Sequence, residues 1–254
     1  MTDPRADHLA RTERIAAACA ADPRVTGLVL FGSTADTSRV DEWSDHDFAV
    51  IAPPEHVESL RADLAFLTGP DRPLAVVREH HDGFKAVTGD GRPMEFAVTD
   101  LDGLLGFEAN DWVVRIGDDA LRARLRGIAS RPRRPVDSTG SATAVIVAVL
   151  IGVGRFRRGE RVSASTSIRG FAAEHVASLI GECLTPSDDR HDDLDPHRRI
   201  ELTHPVAGGR LADLLDRPLE ECARGLLDLL EELLAPSIPD FPFDALQTVR
   251  SRLG

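Results

Sequence analysis

Apolar positions recur along this chain with two different periods, and the change of period divides it. Over residues 6–21, Leu9, Ile15 and Cys19 fall on a helical spacing within an alanine-rich run. This predicts an amphipathic first helix, stopped by Asp22-Pro23. Residues 25–31 are nearly all apolar, the pattern of a strand buried on both faces. Residues 48–52 continue a second such strand, closed by Pro53-Pro54. Val57, Leu60, Leu64 and Leu67 predict a helix over 55–67, and 74–77 read as a third strand. Residues 84–88 and 94–99 flank Gly89-Asp90-Gly91, a hairpin signal. In its second arm Met94, Phe96 and Val98 share one face, which leaves Glu95, Ala97 and Thr99 on the other. A helix begins within 33–38, a short one capped by Asp100 runs through Leu105, and 107–129 read as helix in pieces.

The run Arg131-Pro132-Arg133-Arg134-Pro135 breaks this pattern. After it every apolar segment has helical spacing: 138–158, 163–184, 211–215, 219–234 and 243–253, with an acidic loop at 188–196. No internal repeat or low-complexity tract is present. The fold class is therefore α+β, a mixed sheet with helices over residues 1–135 followed by a helical bundle over 136–254.

Composition narrows the partners. The 254 residues carry a net charge of −12, and their 30 basic residues include one lysine, Lys85. So acidic a chain is poorly suited to nucleic acid, whose phosphates demand basic surface. It suits a cationic small molecule, although the charge also serves solubility. Cys19, Cys183 and Cys222 are few, odd in number and far apart, which suggests buried thiols in a reduced cytoplasm. The N-terminal residues show no signal-like apolar run. The apolar stretch 142–154 is shorter than the roughly 20 residues a membrane span needs, so it reads as a core helix.

The candidate chemistry lies at the end of the first strand and the start of the second. Phe31 leads into Gly32-Ser33, and eleven residues later Asp45-His46-Asp47 opens the next apolar run. Carboxylates at i and i+2 of a strand project to one side. Magnesium favours such oxygens and keeps water or phosphate as its remaining ligands. The Ser33 hydroxyl and the Gly32–Ser33 amides are suited to terminal phosphates, and glycine permits close backbone approach. Glu95, mid-strand on the face opposite the apolar set, is the candidate third carboxylate, as metal ligand or as the base that accepts a hydroxyl proton. His46 faces away from the two aspartates and is no ligand. His80-His81 reads as a strand end, Trp43 and Trp112 as packing, Arg169, Arg198 and Arg199 as structural, and Glu174 as an exposed helix residue.

This arrangement resembles the nucleotidyltransferase superfamily, whose motif is an apolar residue, Gly-Ser or Gly-Gly, a spacer, then Asp-x-Asp or Asp-x-Glu, with a later strand carboxylate. The segments 158–164 and 193–201 are similar to those of bacterial lincosamide and aminoglycoside antibiotic nucleotidyltransferases. The resemblance implies a polymerase-beta-like catalytic domain and a helical domain for substrate binding or dimerisation. It implies ATP with Mg²⁺, and transfer of AMP to a hydroxyl of a small cationic antibiotic. The metal would sit on Asp45, Asp47 and Glu95. The nucleotide would meet Gly32, Ser33 and Arg39, the last standing in a spacer where many members carry Arg-Gly. It often implies a homodimer, and neither a membrane nor a nucleic-acid partner is expected. The other readings are a protein-modifying nucleotidyltransferase of a toxin–antitoxin pair and a nucleotide-binding protein that has lost catalysis.

Overall fold

The computed structural model describes residues 3–79, 83–107, 111–132, 135–187 and 197–254. The chain divides into two compact units, residues 1–132 and 133–254.

The first unit is built on strands β1 (Gly27–Phe31), β2 (His46–Ile51), β3 (Pro73–Arg78), β4 (Gly83–Thr88), β5 (Pro93–Thr99) and β6 (Trp112–Ile116). They form one sheet in the order β3-β4-β5-β2-β1-β6. Only β2 and β5 run parallel; the other neighbours are antiparallel. Both faces of the central strands are covered, which is why β1 is apolar at every position. On one face Leu28, Leu30, Phe48, Val50, Phe84, Met94, Phe96 and Val98 pack together. Helix α1 (Pro4–Ala21) covers them with Ile15 and Cys19, and a later helix (Pro54–Asp63) with Val57 and Leu60. On the other face Val29, Phe31, Ala49, Ile51 and Ala97 meet Leu121, Leu125 and Ile128 of a helix spanning Asp119–Ala129.

Three expectations from the sequence are corrected by the structure. Residues 107–129 are not helical throughout, because Trp112–Ile116 is the sheet's sixth strand. Its pattern of exposed Val113 and Arg115 around buried Val114 is a strand alternation too short to stand out beside the helix that follows. Trp43 is not packing, since it is 81% exposed. The turn after β1 is also shorter than expected: Gly32–Ala35 is a single helical turn, and a 3-10 turn follows at Thr37–Arg39. The pair His80-His81 and the acidic loop lie outside the described residues.

The second unit is helical among its described residues. A 20-residue helix, Ser138–Arg157, is capped by the Asp137 carboxylate, which accepts from Gly140 N at 2.8 Å. It is long and apolar enough to cross a membrane by length and composition. Here Val145, Ile146, Val149 and Val153 enter the unit's core beside Ile168, Val176, Leu179, Leu226 and Leu230. Two helical runs open into π-helical segments, Thr166–Ala172 and Leu230–Leu234. Glu174 is exposed, as the sequence suggested, and Arg169 donates to the Arg217 carbonyl.

Candidate active site

The Gly-Ser turn and the Asp-x-Asp motif meet at one end of the central strands because β1 and β2 are antiparallel. The C-terminal end of β1 therefore stands beside the start of β2, with Leu30 opposite Phe48. Gly32 takes a left-handed φ of +52°, a conformation that favours glycine. A side chain there would meet the Asp47 carboxylate, since a Cβ would stand 3.7 Å from Oδ2. The turn is tied down twice. Gly32 N donates to the Asp111 carbonyl at 3.2 Å, and Asp47 N donates to the Thr34 hydroxyl at 3.0 Å.

Thr34 and Asp111 were not singled out in the sequence. Thr34 is buried and fixes the main chain of the second aspartate, yet a threonine one residue beyond a Gly-Ser turn carries no signal of that role. Asp111 could not be placed because β6 was not recognised as a strand.

Strand pairing brings the third carboxylate in. On the parallel strands β2 and β5, Asp47 is the register partner of Glu95. Partners on neighbouring strands share a face, so both carboxylates stand on the side of Ala49 and Ala97. Asp45 lies just ahead of β2 and is half-buried. Strand alternation therefore places Asp47 but does not reach Asp45. One strand further, Lys85 of β4 is the register partner of Glu95. Lys85, Glu95 and Asp47 thus form a row across three strands. The Lys85 ammonium lies 3.5 Å from Glu95 and 3.3 Å from Glu79. The charge of Glu95 and the bond to Glu79 hold the ammonium above its ordinary pKa.

Arg39 is committed to carboxylates: it pairs with Asp36 at 3.2 Å and Asp111 at 2.6 Å. Trp112 packs on the core at this end, as expected. His46 points to the opposite face, where it is buried and stacked on His8 of α1, ring centroids 3.7 Å apart. Its Nε2 donates to the His8 carbonyl at 3.1 Å. Burial, then the neighbouring His8, pushes the His46 pKa down to about 3. Burial, then Arg92 and Arg11, lowers that of His8 to about 4. Both rings are neutral packing groups beneath the motif.

Among the described residues, no three His, Cys, Asp or Glu side chains are grouped to hold a metal ion by themselves. Magnesium does not require such a group, because it commonly takes one or two carboxylates and completes its shell with water and substrate phosphates. The donors here are hard carboxylate oxygens, and an ammonium already stands on one of them. That chemistry fits a divalent cation.

No family model matches the chain, and no curated protein matches it. Among solved structures, an aminoglycoside 6-adenyltransferase from Bacillus subtilis aligns over 100% of this chain and 98% of that one, with 10% sequence identity and a TM-score of 0.41.

Proposed function

We propose that the protein is a Mg²⁺-dependent nucleotidyltransferase that moves AMP from ATP to a hydroxyl of a small, cationic molecule such as an aminoglycoside or lincosamide antibiotic. The observation that carries this reading is the register pairing of Asp47 with Glu95 across parallel strands, beside the left-handed turn at Gly32. Asp47 and Glu95 would hold the cation, which would supply neutralisation of the phosphate charge; Asp45 flanks them without completing a group of three. Ser33 binds the triphosphate through its own amide and hydroxyl, while the Gly32 amide, expected to join it, is already held by the Asp111 carbonyl. The helical turn behind them is too short to add an aligned dipole.

In the transfer, the acceptor oxygen forms a bond to the α-phosphorus while the bond from that phosphorus to the bridging oxygen breaks. Pyrophosphate leaves with the electron pair. The acceptor's proton goes to the Glu95 carboxylate oxygen that the cation does not hold. Arg39 meets the phosphates only by exchanging Asp36 or Asp111 for them. Residues 1–135 are the catalytic domain in this reading, and 136–254 supply acceptor binding and a dimer contact. The chain's net charge of −12 favours a cationic acceptor over nucleic acid.

The test is pyrophosphate release with each nucleoside triphosphate against a panel of hydroxylated antibiotics. Turnover should require a divalent cation and should fall by about 10²–10³-fold in Asp47→Asn, the scale on which removed electrostatic groups act. Near-normal turnover by that variant would remove the carboxylate assignment.

A further inference from the structure

Lys85 is the one lysine among 30 basic residues, and it stands in the carboxylate row. The choice of residue type has a physical consequence. Arginine presents a planar fork that locks onto a carboxylate, whereas lysine presents a compact point charge that is easily exchanged. Elsewhere in this unit arginines are locked: Arg11 and Arg14 hold Asp71 at 2.8–2.9 Å. Lys85 instead hangs between Glu95 and Glu79 at 3.5 and 3.3 Å, about half exposed. It pairs with Glu95 at a longer distance than those arginines keep to Asp71.

We infer that Lys85 is the exchangeable counter-ion of the carboxylate row. Without a divalent cation its ammonium stands on Glu95; a cation binding at Asp47 and Glu95 displaces it. Lys85 is then a positioning residue that sets how tightly the site takes its metal. The inference rests on the nucleotidyltransferase reading only for the statement that Asp47 and Glu95 take a divalent cation. The ordinary alternative is an exposed ion pair with no bearing on the metal.

The experiment is Mn²⁺ binding to the full chain without nucleotide, followed by electron paramagnetic resonance. Lys85→Gln should bind Mn²⁺ about fivefold more tightly than the wild type, the upper end of what an exposed pair contributes. Lys85→Arg should bind it more weakly, and Asp47→Asn should lose it. An unchanged affinity in Lys85→Gln, with binding still lost in Asp47→Asn, overturns the counter-ion role and leaves the carboxylate reading standing. Wild-type protein that binds no Mn²⁺, or Asp47→Asn that binds it normally, overturns both.

A second measurement needs no variant of Lys85. Reductive ¹³C-methylation labels one lysine side chain, resolved from the N-terminal amine. Its resonance should shift when Mg²⁺ is added to the wild type and stay put in Asp47→Asn. A resonance that Mg²⁺ does not move in the wild type overturns the inference.

Discussion

At the scale of single residues, Gly32 shows how a local conformation serves a site. Its φ of +52° costs an L-residue roughly 1–2 kcal/mol. A methyl group there would make only an ordinary contact with the Asp47 carboxylate, so the cost is one of backbone conformation. Gly32→Ala should therefore lower stability by about 1–2 kcal/mol in urea denaturation. It should lower turnover further than that loss explains; a variant with full activity would separate the turn from the site. The Gly-Ser turn and the second aspartate were legible in the sequence because both rest on short-range rules, a turn and an alternation. Thr34 was not, because its hydroxyl acts on a backbone N–H thirteen residues away. Asp45 marks the limit of the same rules, since alternation stops being informative where the ladder ends.

Among the elements, α1 is fastened to the sheet unit by charge as well as by Ile15 and Cys19. Asp71 is 1% exposed and accepts from Arg11 at 2.9 Å and from Arg14 at 2.8 Å, while Arg11 reaches on to Asp90 in the hairpin turn at 2.6 Å. Removing one partner of such a network leaves the other charge buried. Asp71→Asn should cost about 3 kcal/mol, read as a lowered denaturation midpoint, and a loss under 1 kcal/mol would show that Asp90 suffices for Arg11. None of this network was read from the sequence, because Arg11 and Asp71 lie sixty residues apart. The hairpin, by contrast, was placed almost to the residue, since Gly89-Asp90-Gly91 is a strong local turn signal. The sixth strand was missed because five residues with one buried side chain in their middle carry almost no periodic signal.

For the whole molecule, the stacked His8 and His46 tie folding to pH. Both are buried neutral, with folded pKa values of about 4 and about 3 against an ordinary 6.5. The unfolded chain therefore takes up protons first as acid is added. The contribution of these rings is fully present above pH 6.5 and is lost as pH falls toward 4. Between pH 7 and pH 4.5 each ring should remove on the order of 2 kcal/mol of stability. A thermal-denaturation series in pH checks this, and His46→Phe should flatten the dependence. A slope that His46→Phe leaves unchanged would place the acid sensitivity elsewhere.

The sequence by itself determined the α+β class, the order of most elements, the Gly-Ser turn, the faces of the hairpin arm and the candidate carboxylates. Each of these follows from spacing within about ten residues, where chain geometry leaves few alternatives. The tertiary structure decided what lies opposite what. That Asp47 meets Glu95 depends on the register of strands forty-eight residues apart in the chain, whereas the meeting of Glu95 with Lys85 is set by the hairpin between them. A slip of one residue would turn Glu95 into the core and Phe96 out of it. The core, by burying Phe48, Met94 and Phe96 together, forbids that slip and so sets the carboxylate row.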